Sequence, residues 1–228
     1  MKSTILITVT IITAGIFLQS CKNNNSNSVA TEADTSMANM DHTDNMEMKN
    51  LSNEMPKSMI TMMATMNVIK MTGNFDIDFA TIMIPHHQSA IDMAQDYLPN
   101  GKDNKIQAIA QNIIDTQKKE IEELKTIVAN YKPAETEEPL NASHRTGDHT
   151  ELMATMNEMM DKMKAMKMSG NADKDFVMIM IPHHESAVTM AEDQISHGTS
   201  LELKKLANKI IDDQNKEIKE FNAWLAGI

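Results

Sequence analysis

The chain has 228 residues, with 32 Asp and Glu against 21 Lys and Arg, a net charge of −11 at pH 7. That acidic surplus argues against a nucleic-acid partner and against an electrostatic grip on anionic lipid. A single cysteine, Cys21, excludes a disulfide or a thiolate cage within one chain, whereas 23 methionines against one Trp, two Tyr and five Phe supply thioether in excess.

Lys2 followed by the apolar run Ile5 to Phe17 has the form of an export signal, too short to span a bilayer. It ends in Leu18-Gln19-Ser20-Cys21, which resembles a bacterial lipoprotein processing site, although Gln19 is unusual at its place. Residues 1–20 are therefore expected to be removed and Cys21 to carry the lipid, with an uncleaved anchor or a plain secretory signal as the alternative. The expected address is the bacterial cell envelope, lipid-anchored and facing the periplasm or the surface. Residues 21–54 are rich in Asn, Ser and Thr and poor in aliphatics, the composition of a disordered tether. Methionine in such a segment has no packing to do. Met37, Met40, His42, Met46 and Met48 read as a flexible scavenger of soft ions.

From Met59/Met156 to Ile127/Trp224 the chain repeats itself at an offset of 97 residues without a gap, with 32 identities over 69 positions. The first repeat covers 55–130, a linker with Pro133, Pro139 and several Glu covers 131–148, and the second repeat covers 149–228. Each repeat predicts three helices. Met55, Met59, Met62, Met66 and Ile69, matched by Leu152, Met156, Met159, Met163 and Met166, form the seam of the first. It is expected to stop at Gly73/Gly170, with Asn74, Asp76, Asn171 and Asp173 available to cap the next helix. The second helix carries Phe79, Met83, His86, Ala90, Met93 and Tyr97 on one stripe and closes near Gly101; its copy carries Phe176, Met180, His183, Ala187 and Met190 and closes near Gly198. The third uses Ile106, Ile109, Ile113, Gln117, Ile121, Leu124 and Val128, with Leu203, Leu206, Ile210, Gln214, Ile218 and Phe221 as counterparts. No stretch alternates as a strand does. The fold class is all-α, two tandem three-helix repeats packed about a pseudo-two-fold axis.

The second helices each hold Ile-Pro-His-His, at Pro85-His86-His87 and Pro182-His183-His184. Proline inside a helix removes a backbone hydrogen bond and crowds the preceding turn, at about 3 kcal/mol. A local rule broken twice beside ligand-capable side chains points to function. Consecutive histidines project about 100° apart, but Met83 and Met180 lie three and four residues before their pair and can reach either ring. Met93 and Met190 lie two turns beyond on the same face. Imidazole and thioether, without thiolate or converging carboxylates, form the ligand set of Cu(I) and of Ag(I). The candidate metal ligands are Met83, His86, His87, Met93, Met180, His183, His184 and Met190, with Met63, Met160 and His149 as secondary candidates. A histidine on an apolar face is also often a hydrogen-bonded core residue, so a structural reading stays open. Gln117 and Gln214 are read as partners of the histidines or of the carbonyls freed by proline.

Asp-x-x-Phe, then Met-Ile-Pro-His-His-x-x-Ala-Ile-x-Met-Ala, then Ile-Ile-x-x-Gln-x-x-Glu-Ile, resembles the signature of domain-of-unknown-function family 305, here present twice over 59–127 and 156–224. The resemblance implies an exported, ferritin-like helical bundle, with copper binding among some members. The combined expectation is an envelope lipoprotein that takes copper, as Cu(I) or at histidine-rich spots Cu(II), for sequestration or delivery and without catalysis. A metal-dependent oxidase or peroxide-handling enzyme, and a metal-free interaction module, are the alternatives.

Overall fold

The structure, a computed structural model, describes residues 55–130 and 142–228, with backbone alone for 142–150. Cys21, the tether residues Met37, Met40, His42, Met46 and Met48, and the side chain of His149 lie outside the described residues. Among the described residues six helices follow one another: α1 Lys57–Asn67, α2 Phe75–Tyr97, α3 Asn104–Asn130, α4 Ala142–Lys164, α5 Ala172–His197 and α6 Leu201–Leu225. Among the described residues no strand occurs. The starts of α2 and α5, the starts of α3 and α6, and the ends of α1 and α4 all keep the 97-residue offset.

Apolar spacing accounts for the packing. The seam residues Met59, Met62 and Met66 of α1 are buried, as are Leu152, Met156, Met159 and Met163 of α4. The expected stripes of α2 and α5 are buried along their whole length, histidines included. With these faces turned inward, α2 packs on α3 and α5 on α6. α2 and α5 meet each other, α1 and α4 lie over them, and α3 touches α6.

Two boundaries differ from expectation. α1 ends at Asn67 rather than running to Gly73. The reason is Asp78, whose carboxylate accepts from the Thr72 N–H at 2.7 Å, the Thr72 hydroxyl at 2.8 Å and the Gly73 N–H at 3.0 Å. These donors are thereby drawn into a turn ahead of α2. Gly73 does take the left-handed conformation, at φ +86°, but inside that turn and not as a helix cap. Ser169, Gly170 and Asp175 repeat the arrangement, with φ +78° at Gly170. α4 in turn begins at Ala142, inside the stretch read as linker. Beyond Pro139 only Gly147 opposes a helix there.

The capping residues divide their labour. Asn74 and Asn171 cap α2 and α5, accepting from the backbone N–H of Ile77 and of Lys174. Asp76 and Asp173 do something else: each reaches into the other repeat. Asp76 accepts from the Gln194 amide, from the Thr199 backbone N–H and hydroxyl, and from the Ser200 N–H. Asp173 accepts from the Tyr97 hydroxyl at 2.6 Å and from the N–H groups of Lys102 and Asp103. Each aspartate thus closes the helix–helix turn of the opposite repeat. Gly101 and Gly198 make room for this, since a Cβ at Gly198 would stand 2.1 Å from the Gln194 amide nitrogen and one at Gly101 would stand 2.3 Å from the Tyr97 ring.

Candidate metal centre

α2 and α5 continue through Pro85 and Pro182 and present their histidine pairs at the centre of the protein. His86, His87, His183 and His184 are all fully buried. The rings of His86 and His183, one from each repeat, lie 3.8 Å apart between centroids and are tilted by 37°. Within each pair the rings stand farther apart, at 6.3 Å for His86 and His87 and 6.2 Å for His183 and His184. Burial in the first place, and then the neighbouring histidines, hold His86 and His183 well below the usual imidazole range. Both rings are neutral at physiological pH.

Their outer nitrogens have partners in the opposite repeat. His86 Nε2 meets the Ser186 hydroxyl at 2.9 Å, and His183 Nε2 meets the Ser89 hydroxyl at 2.7 Å. Each hydroxyl also lies near the carbonyl three residues back, His86 O for Ser89 and His183 O for Ser186, and 3.1 Å from a sulfur, Met62 Sδ or Met159 Sδ. One hydroxyl has one hydrogen to give. Directed at the carbonyl or the sulfur, it leaves an oxygen lone pair for the imidazole, which then carries its proton on Nε2. The opposite tautomer would bury an unpartnered N–H on Nδ1, the less tolerable defect.

The second histidine of each pair turns to a carboxylate. His184 Nε2 donates to Glu217 Oε2 at 2.8 Å. His87 Nε2 lies 3.0 Å from Glu120 Oε2, close but off the N–H axis. The ligand set is expected from sequence to lack converging carboxylates, with Asp78/Asp175 and Glu120/Glu217 as the matched exceptions; of these, Glu120 and Glu217 do converge on the histidines, each from the third helix of its own repeat. The other oxygens of these carboxylates are held as well. Glu217 Oε1 accepts from the Asn112 amide at 3.0 Å, and Glu120 Oε1 from the Lys209 ammonium at 2.7 Å. Burial pulls the Glu120 carboxyl upward, but the bonds and charges of His87 and Lys209 outweigh it and hold it below the usual range.

All four Nδ1 atoms are left over. Those of His86, His87, His183 and His184 are buried and without a partner. Such orphans are uncommon in a protein interior. Gln117 and Gln214, one turn before the glutamates, are buried with neither amide atom bonded. Neither amide bonds a histidine or a carbonyl freed by proline; serines meet the Nε2 atoms of His86 and His183, Glu217 accepts from that of His184, and Glu120 lies beside that of His87. Met83, Met93, Met180 and Met190 are buried on the same stripes. The sulfurs of Met62 and Met159, which periodicity assigns to packing, lie 3.1 Å from the Ser89 and Ser186 hydroxyls that meet the imidazoles. Met160 is buried and Met63 half-buried against the core. On the surface, Glu151, Asp193 and His197 place three ligand-type atoms within 4.8 Å of one another, apart from the histidine pairs.

What the fold and this centre define is an all-α protein with imidazole and thioether gathered between duplicated helices. The chain belongs to the family described as domain of unknown function (DUF305), whose model matches residues 18–128 and again 76–225. Among solved structures it is similar to CopM in the Ag-bound form, at 32% identity over 67% of this chain and 95% of that one, with a TM-score of 0.50. CopM in the Cu(II)-bound form is also 32% identical, over 67% and 97%, with a TM-score of 0.50. A putative secreted DUF305 protein from Streptomyces coelicolor, 21% identical over 69% and 95% with a TM-score of 0.52, shares the fold. An uncharacterized protein of Acanthamoeba polyphaga mimivirus is 40% identical over 53 residues, which are 23% of this chain and 35% of the viral protein.

Proposed function

We propose that the protein binds copper as Cu(I), accepts Ag(I) in its place, and serves in sequestration or delivery at the bacterial envelope, held there by a lipid on Cys21. The observation that carries this is the set of four buried Nδ1 atoms without partners, on rings whose Nε2 meets a serine in His86 and His183, bonds a glutamate in His184, and lies 3.0 Å from a glutamate, off the bonding axis, in His87. A histidine ligand commonly donates its second N–H to a carboxylate or another oxygen, which fixes the ring and the tautomer. His86, His87, His183 and His184 are the imidazole ligands in this reading. Met83, Met93, Met180 and Met190 supply the thioethers, and Met62 and Met159 join them. A donor set of neutral nitrogen and sulfur suits a soft monovalent ion. The similarity to CopM, crystallised with silver and with Cu(II), supports the same chemistry. Met63, Met160, His149 and the tether methionines with His42 are secondary sites in this proposal, and Gln117 and Gln214 stand behind the ligands. The two repeats, whose contacts at Asp76/Asp173 and Ser89/Ser186 are reciprocal, are read as halves of a pseudo-two-fold bundle.

Titration of the purified signal-less protein with Cu(I) against a competing chelator is expected to reveal at least one tight site. Replacing the four histidines by Ala should remove it; unchanged stoichiometry in that variant overturns the assignment. The contacts of Glu120 and Glu217 with the histidines favour a second reading, a metal-dependent oxidase. Both glutamates sit behind the rings on Nε2, as orienting groups do, which makes binding the better account. Iron or manganese retained through purification, together with turnover, would reverse that order.

A further inference from the structure

The buried centre is connected to the surface through its two glutamates, and the two connections are not alike. α3 and α6 leave a groove on each side of their contact. One, of about 280 Å³, is lined by Asn112 and by Glu217 itself, together with Lys105, Asp213, Lys216 and Glu220. The other, of about 540 Å³, is lined by the equivalents of several of these residues and by Lys209, but not by Glu120. Both rims mix acids with lysines, so the difference lies at the floor. Position 112 is Asn where its repeat counterpart, position 209, is Lys. A neutral amide holds Glu217 and leaves its negative charge facing the groove. The Lys209 ammonium pairs with Glu120 at 2.7 Å and with Asp213 at 3.1 Å, and the Glu120 side chain is 1% exposed against 7% for Glu217.

Resting on the copper-binding reading, the geometry points to Glu217 as the way in for metal cations, with Asn112 holding it without adding a positive charge and Lys209 closing the equivalent route at Glu120. A cation arriving in the Asn112 groove meets a carboxylate whose other oxygen holds His184, and His184 adjoins His183, whose ring faces that of His86. A cation arriving in the opposite groove finds the carboxylate that leads to the centre already occupied, because the Lys209 ammonium stands on Glu120. Local charge of this kind changes association rates by roughly 10- to 1,000-fold and falls away with salt.

The test is the rate of Ag(I) uptake by the signal-less protein, followed by stopped flow at low ionic strength, beside the equilibrium stoichiometry. Asn112→Lys is expected to slow uptake about tenfold or more while leaving stoichiometry unchanged, and Asn112→Gln, neutral and slightly larger, should leave the rate alone. Lys209→Asn opens the second groove and is expected to speed uptake about twofold, as two parallel routes replace one, and to restore the rate when combined with Asn112→Lys. Normal silver stoichiometry with the same rate in Asn112→Lys and in Lys209→Asn overturns this route but leaves the binding reading standing. No silver bound by the unaltered protein overturns both.

Discussion

Asp76 accepts a hydrogen bond from the Thr199 hydroxyl at 2.6 Å, joining residues 123 positions apart and tying the start of α2 to the turn between α5 and α6. Burial raises the Asp76 carboxyl, but the bonds from Thr199, Gln194 and Ser200 overcome this and hold it below its usual 3.8. Asp173 is lowered in the same way by Tyr97, Lys102 and Asp103 against its burial. A carboxylate depressed on folding contributes stability that is full above 3.8 and disappears as pH falls through the lower folded value. The metal-free protein is therefore expected to lose stability below that point, and Asp76→Asn with Asp173→Asn should flatten the loss. Urea denaturation across a pH series reads this directly. Near neutral pH each substitution should weaken the fold by about 1–3 kcal/mol. An unchanged acid slope in the double variant would assign acid sensitivity to other carboxylates.

Ser89→Ala and Ser186→Ala remove the oxygens that receive the His183 and His86 Nε2 protons. Each leaves a buried N–H without a partner, and each is expected to destabilise the metal-free protein by about 1–3 kcal/mol. Chemical denaturation measures the loss. A variant as stable as the parent would show that the imidazoles carry their protons on Nδ1.

Pro85→Ala and Pro182→Ala restore a backbone donor inside α2 and α5. Metal-free stability is expected to rise, by up to about 3 kcal/mol for each. The same variants should bind Cu(I) more weakly, because the proline sets the direction of the turn that carries the histidines. Thermal melts and chelator competition on the same samples would separate the effects; a rise in both quantities would make the prolines incidental.

Gly198→Ala forces a methyl group to within 2.1 Å of the Gln194 amide nitrogen and 2.6 Å of its backbone oxygen. The side chain could swing aside, but the backbone cannot move so cheaply, and the Gln194 bond to Asp76 is at stake. A loss of about 1–3 kcal/mol is expected. Gly101→Ala meets the Tyr97 ring, which is stacked on Phe176 at 4.3 Å and bonded to Asp173, so a loss of similar size is expected there. Chemical denaturation of both variants measures the two losses.

The apolar stripes of all six helices were legible because 3.6-residue periodicity and the 97-residue repeat say the same thing twice. Helix ends were less so: Asp78 and Asp175 recur in both copies, yet nothing in spacing says that they gather a Thr-Gly or Ser-Gly turn and end α1 early. The partners of the histidines were hidden for a related reason. Ser89/Ser186, Glu120/Glu217 and Met62/Met159 are all identical between copies, and that identity was the available signal. Periodicity assigns a residue to a face but not to the helix opposite, and a repeat cannot reveal whether a matched pair bonds within its own copy or across. Glu120 stays within its copy, whereas Ser89 crosses to His183. Only the packed helices distinguish the two.

The interlocked aspartates make each half depend on the other. Half of this molecule, cut away, would expose a carboxylate that has lost its protein donors and a helical hairpin whose turn has lost its acceptor. Two identical halves would cure each other's deficit, Asp to turn and turn to Asp. Neither half closes its own turn, so the two stand or fall as one folding unit.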